Sequence, residues 1–169
     1  MSEVSLSGVR RIHVVGIGGP GMSALARVLH EMGHRITGSD IRESSVIVDL
    51  RRSGIDVRIG HSVENLGDAE ILTFPTGLPE GNVEVAAARR SGVPVVHRSV
   101  MLAAVCATGR SVAVAGTHGK TTTCALLVHI LSSTGTRASW LIGPDPRGGI
   151  ASSHWDRDPS ADLFVVESD

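Results

Sequence analysis

An apolar run, Val112-Ala113-Val114-Ala115, breaks at Gly116 into Gly116-Thr117-His118-Gly119-Lys120-Thr121-Thr122 and passes almost directly into the helical run Ala125–Leu131. Strand, tight loop and helix in that order commit this part of the chain to an α/β arrangement, with a buried parallel strand expected over 112–115. Gly116 and Gly119 let the backbone turn with its N–H groups inward. The helix beginning near Thr121 adds its positive end, so the loop is built to cradle phosphate oxygens. Lys120 supplies a mobile charge for the β- and γ-phosphates, and the Thr121 hydroxyl is placed to hold Mg²⁺. The general P-loop spacing asks for glycine at position 114, where this chain has Val114, so only the tighter form from Gly116 to Thr121 survives. The alternative is a glycine-rich turn carrying a lysine by chance.

Composition supports the same class. Hydrophobic residues make up 41% of 169 positions but aromatics only 2%, with no tyrosine, so any core is built from Val, Ile, Leu and Ala. That suits a parallel sheet covered on both faces better than a sandwich or a disulfide-stapled module. A formal net charge of −1 argues against a broad nucleic-acid surface. Cys106 and Cys124 lie in apolar helical runs without metal-like spacing and read as reduced thiols. No stretch is long and apolar enough to span a bilayer, and Met1–Arg11 has no signal-like apolar region. The expectation is a cytoplasmic protein with no membrane or nucleic-acid partner.

From the N-terminus, Arg11–Val15 reads as a strand entering Gly16-Ile17-Gly18-Gly19-Pro20-Gly21-Met22-Ser23, then a helix over Ala24–Met32 and a strand over Arg35–Gly38 that finishes at Ser39-Asp40. A glycine loop between strand and helix, with an acid about twenty residues on, has the form of a dinucleotide fingerprint in which Asp40 reaches a ribose hydroxyl. Further elements follow: a helix over Ser45–Ser53, a strand over Asp56–Gly60 leading to His61 and then Val63–Leu66, a strand over Ala69–Phe74 and a turn over Pro75–Pro79. Next come a helix over Val83–Arg90, a strand over Val93–Val96 and a helix over Ser99–Ala107. The polar break Thr108-Gly109-Arg110 divides the chain into domains 1–108 and 109–169. The second continues with a helix to Ser133, a strand over Ala138–Ile142 reaching Gly143-Pro144, and a long exposed loop over Asp145–Ser160. Leu163–Val166 is a last strand, ending in Glu167. An acid at the end of a strand beside a phosphate loop is a second Mg²⁺ contact; the other reading is an ordinary acidic tail.

Two of these loops resemble one family. Gly116-Thr117-His118-Gly119-Lys120-Thr121 resembles the ATP loop of the Mur ligases, which join amino acids to UDP-linked muramic acid. Gly16–Ser23 with Gly38-Ser39-Asp40 resembles the UDP-binding loop of the family's L-alanine-adding branch, in which a Rossmann-like domain holds the UDP pyrophosphate. Gly60-His61 with Asn65-Leu66, Leu78-Pro79-Glu80 with Asn82 and Glu84-Val85, and His97-Arg98 with Met101-Leu102 are similar in order and spacing to groups of that branch. The resemblance implies a Rossmann-like UDP-sugar-binding domain over 1–108 and an incomplete P-loop ATP-binding domain over 109–169. It implies UDP-sugar contacts at Gly16, Gly18, Gly19, Gly21, Met22, Ser23, Ser39, Asp40, His61 and Thr76. ATP contacts are implied at Gly116, Thr117, His118, Gly119, Lys120, Thr121 and Thr122, with Lys120 catalytic and Thr121 and Glu167 holding Mg²⁺. His61 reads equally as a polar cap on a strand end; Arg98 reads as a surface residue, the alternative being that it reaches a ligand phosphate or carboxylate.

The chain departs from the family pattern at several positions. Pro75-Thr76 replaces a pair of small hydroxyl residues, Val100 an acid, Pro20 a small residue of the glycine loop, and Pro144 the second of two glycines. Proline offers no N–H, so the Pro20 amide is lost to any ligand. Three readings follow. The first is the N-terminal portion of an ATP-dependent ligase that joins L-alanine, by resemblance, to the carboxylate of UDP-N-acetylmuramate or a related UDP-sugar acid through an acyl phosphate. The second is a non-catalytic nucleotide-binding module derived from such a ligase. The third, an NAD-linked dehydrogenase, has no use for a second phosphate loop. On the first reading the chain alone does not turn over, and its second sheet leaves an unpaired strand edge and apolar helix faces uncovered. The sugar, the amino acid and the oligomeric state stay open.

Overall fold

The computed structural model describes residues 4–143, 149–158 and 160–168. The chain divides into two compact units, Met1–Val105 and Cys106–Asp169.

The first unit alternates strand and helix: β1 (Arg11–Val15), α1 (Pro20–Glu31), β2 (Arg35–Asp40), α2 (Ser45–Arg52), β3 (Asp56–Ile59), a 3₁₀ turn (Val63–Leu66), β4 (Ile71–Phe74), α3 (Val83–Arg90), β5 (Val95–His97) and α4 (Arg98–Cys106). The strands form one parallel sheet in the order β3-β2-β1-β4-β5, a Rossmann-like α/β arrangement. The chain runs outward through β2 and β3 and then crosses back to β4. The loops after β1 and β4 therefore leave adjacent strand ends in opposite directions and open a crevice between them. Ile12, Val14, Leu25, Leu29, Ile47, Leu50 and Leu72 are buried against the sheet.

Gly38 shows how tightly the first two strands and their loop are fitted. A Cβ there would lie 2.5 Å from Ile17 Cδ1 and 2.8 Å from the Val14 carbonyl oxygen. The expected helix over Ala24–Met32 begins four residues earlier, at Pro20. Pro20 sits in the first helical turn, where the missing N–H has no helical partner to lose and the fixed φ suits the helix. Ser44 caps α2 by accepting the Ile47 N–H, and Asn82 Oδ1 caps α3 by accepting those of Glu84 and Val85.

The second unit holds β6 (Arg110–Val114), α5 (Lys120–Ser133), β7 (Ser139–Leu141), β8 (Ser153–His154) and β9 (Leu163–Glu167). The strand order is β6-β9-β7-β8, parallel except for the β7–β8 pair. Two expectations are corrected. The strand over 112–115 is not buried: β6 is the edge of its sheet and pairs only with β9 among the described strands, and Val112 is 40% exposed. The stretch Asp145–Ser160 is not wholly loop. Ser153–His154 pairs with β7, the His154 ring lies 4.6 Å from that of Trp140, and Arg137 pairs with Asp156 and Asp158. The Arg137 guanidinium and the Asp158 N–H hold the Asp156 carboxyl down at about 2. Pro144, Asp145–Gly148, Pro159 and Asp169 lie outside the described residues. Cys124, Ala125, Val128, Ile142 and Val165 form the core under α5. Leu126 and Ile130 on its other side are 58% and 56% exposed, as expected for an uncovered apolar face. Both cysteines are free. No described helix is long and apolar enough to cross a membrane.

Candidate functional site

The crevice at the reversal of the first sheet is a cavity of about 480 Å³ whose walls include Gly16, Asp40, His61 and Thr76. The glycine turn after β1 is closed by its own backbone: Ile17 N–H donates to the Ser39 carbonyl at 3.0 Å and Gly19 N–H to that of Gly16 at 3.1 Å. Asp40, at the end of β2, accepts the Gly18 N–H at 2.9 Å. Its carboxylate thus braces the turn while standing on the crevice wall. Met22, Ser23 and Ser39 are buried, and the Ser23 hydroxyl donates to the Pro20 carbonyl within the first turn of α1. Gly21 lies under Arg98, whose Nε would be 2.9 Å from a Cβ at that position. Read as a surface residue, Arg98 is instead half-buried against the start of α1. Spacing along the chain gave no hint of that approach, because it is made across the sheet from β5.

Thr76, on the opposite wall, is held by His97. The Ser99 N–H donates to His97 Nδ1 at 3.2 Å, so the ring proton is on Nε2, which lies 2.9 Å from Thr76 Oγ1. With its oxygen accepting that bond, the Thr76 hydroxyl keeps its own proton for another acceptor.

Beneath the crevice lies a carboxylate that the sequence offered only as part of the segment Glu84-Val85, with no role of its own. Glu84, in the first turn of α3, has a fully buried side chain. The Ser39 hydroxyl donates to Oε2 at 2.6 Å, and Asn65 Nδ2 and the Ser62 N–H donate to Oε1 at 2.6 and 3.3 Å. His61 Nδ1 lies 3.2 Å from Oε2, and the buried His13 Nε2 lies 3.6 Å from it. Burial pushes the carboxyl pKa up, but the His13 ring 3.6 Å away and the hydrogen bonds from Ser39 and Asn65 outweigh it and bring the value to about 2. A glutamate in a first helical turn is ordinary in sequence. The available signal was His13, a polar residue inside the apolar strand Ile12–Val15, which needed a buried partner.

In the second unit, Thr117–Thr122 and Glu167 surround a smaller cavity of about 280 Å³. Gly119 takes φ 78° and Lys120 opens α5. Register brings Glu167 to this loop: β9 pairs with β6 so that Glu167 lies opposite Val114, where β6 gives way to the loop. The Thr121 hydroxyl donates to Glu167 Oε2 at 2.9 Å, and the Gly143 N–H donates to the same oxygen at 2.7 Å. A Cβ on Gly143 would lie 2.5 Å from both Thr121 Oγ1 and Glu167 Oε2. Cys124, one turn into α5, has its thiol pKa pushed up to about 11, by burial first and by Glu167 second. The described residues hold no cluster of three or more His, Cys, Asp or Glu side chains able to ligate a metal. A hydroxyl and one carboxylate do suit Mg²⁺, which keeps several waters and takes phosphate oxygens as ligands.

Residues 11–110 match the Mur ligase family, catalytic domain. The chain belongs to the Mur ligase family. It is 41% identical over 159 residues to a UDP-N-acetylmuramate–L-alanine ligase of Rubrobacter xylanophilus, covering 94% of this chain and 35% of that protein. It is 44% identical over 160 residues to the enzyme of the same name from Rhizorhabdus wittichii, covering 94% of this chain and 33% of that protein. The chain thus spans about a third of the length of these Mur ligases. Among solved structures, the UDP-N-acetylmuramate:L-alanyl-gamma-D-glutamyl-meso-diaminopimelate ligase of Neisseria meningitides superposes with a TM-score of 0.83 at 29% identity, over 96% of this chain and 53% of that one. The UDP-N-acetylmuramate–alanine ligase of Thermotoga maritima gives 0.81 at 28% identity, over 94% of this chain and 37% of that one.

Proposed function

We propose that this chain is the nucleotide-handling N-terminal portion of a cytoplasmic, ATP-dependent ligase of cell-wall peptidoglycan synthesis, one that joins L-alanine to the carboxylate of UDP-N-acetylmuramate. The convergence of Thr121, Glu167 and Gly143 at the start of α5 carries the reading, because it equips a Lys-bearing loop for a nucleoside triphosphate. The crevice of the first unit takes the UDP-sugar, with the glycine turn and the α1 N-terminus toward its pyrophosphate and His61 and Thr76 on its walls. Lys120 neutralises charge on the phosphate oxygens, and Thr121 and Glu167 hold Mg²⁺, which when bound adds charge stabilisation to phosphoryl transfer. In the complete enzyme the sugar carboxylate takes the γ-phosphoryl group of ATP, releasing ADP, and the amine of the amino acid displaces phosphate from the acyl phosphate to form the amide. No residue of this chain is assigned to that amine, so the chain alone releases no ADP in response to an amino acid.

Pro20, a departure from the family pattern in the sequence, has a structural account as the first residue of α1. The second unit is tested by calorimetric titration with ATP and Mg²⁺ against Lys120→Ala. The proposal predicts heat for the unmutated chain and an affinity at least about tenfold lower for the variant, the order of one lost charge-assisted contact. Equal heats for the two proteins contradict it.

A further inference from the structure

Four elements of the first unit meet at one buried oxygen pair. Ser39 comes from the end of β2, His61 and Ser62 from the segment after β3, Asn65 from the 3₁₀ turn, and Glu84 from α3. Of these, His61 also reaches the crevice; its side chain is 20% exposed and it lines the wall beside Asp40. Its Nδ1 is turned inward, 3.2 Å from Glu84 Oε2 and 3.1 Å from Ser39 Oγ. The Ser39 hydroxyl already donates to Glu84 at 2.6 Å, so Ser39 Oγ meets the ring as an acceptor. Both neighbours of Nδ1 are acceptors, and that nitrogen must carry the ring proton. In the neutral ring, Nε2 is then left with its lone pair on the crevice side.

We propose that Glu84 is a positioning residue that locks His61 in the Nδ1–H tautomer, so that Nε2 serves as a hydrogen-bond acceptor selecting a nucleotide with an N–H or O–H donor at that wall. The proposal rests on the reading of the crevice as a UDP-sugar site. The donor is either the imide N–H of the pyrimidine or the ribose 2′-hydroxyl, which share this chemistry. A cytosine ring offers no imide proton, so the imide case discriminates between the pyrimidines, whereas the ribose case discriminates between ribo- and deoxyribonucleotides.

The tautomer is read without ligand from the ring-nitrogen resonances of ¹⁵N-labelled chain at about pH 8, above the ordinary histidine range, with His61→Asn assigning the signal. The lock predicts a protonated Nδ1 and a bare Nε2. An Nε2–H ring, or one protonated at both nitrogens, overturns it, and this outcome depends on no variant folding. In Glu84→Gln, whose amide can present either a donor or an acceptor, the Nδ1–H form gives way to a mixture; an unchanged spectrum overturns the role of Glu84.

The ligand contact is read by titrating UDP, 3-methyl-UDP and 2′-deoxy-UDP. One analogue binds the unmutated chain about threefold to tenfold more weakly than UDP, the range of one hydrogen bond, and the penalty shrinks in Glu84→Gln. Loss with 3-methyl-UDP identifies the imide and loss with 2′-deoxy-UDP the ribose. No penalty for either, or a penalty of equal size in the variant, overturns the selection. Failure of the unmutated chain to bind UDP at all overturns the UDP-site reading and the ligand contact with it, while the ligand-free spectrum still decides the lock.

Discussion

At the scale of single residues, two positions tie stability and binding to measurable changes. Glu84 has a folded pKa of about 2, below its ordinary 4.5. A depressed carboxylate pKa stabilises the fold fully above the unfolded value, and that contribution is lost as pH falls from about 4.5 towards 2. Acid titration of the melting temperature is therefore expected to fall across this window, with a shallower fall in Glu84→Gln; identical slopes would remove Glu84 as the source. Gly143→Ala places a methyl carbon 2.5 Å from Thr121 Oγ1 and Glu167 Oε2 and must force them apart. We expect Mg²⁺-ATP affinity to drop at least about tenfold with UDP binding unchanged, as calorimetry of both ligands can check. The loop from Gly116 to Thr121 was legible in sequence because it is a local pattern, and the approach of Glu167 to Thr121 because an acid ends the last apolar run. Glu84 and the placement of Arg98 were not, because their partners come from strands and turns distant along the chain.

At the scale of elements, caps and strand order decide what periodicity could and could not reveal. The bounds of β1 and α3 are those the sequence implied, since a polar-flanked apolar run and an Asn82 cap mark them locally. Asn82→Ala removes the acceptor for the Glu84 and Val85 N–H groups. It is expected to cost about 1 kcal/mol of stability, measurable by urea denaturation, and to loosen the helix turn from which Glu84 reaches Ser39. β6 shows the converse. An apolar run of Val and Ala reads as a buried central strand, but burial is set by neighbours, and β9 inserts between β6 and β7, leaving β6 at the edge. β8 escaped notice because two residues paired to β7 are too short for any periodicity.

At the scale of the molecule, the proposed function divides its chemistry between the two units, with the crevice at the sheet reversal of the first and the Lys-bearing loop of the second. The exposed β6 edge and the uncovered Leu126 and Ile130 belong to the second unit, whereas the first buries most of its large apolar side chains along a five-stranded sheet. The first unit is accordingly expected to carry the tighter ligand. The most direct measurement is calorimetric titration of the purified chain with UDP-N-acetylmuramate. Saturable binding, weakened in His61→Asn and insensitive to Lys120→Ala, is the predicted result. A chain that remains folded by circular dichroism yet gives no heat with this nucleotide sugar would contradict the assignment of the crevice.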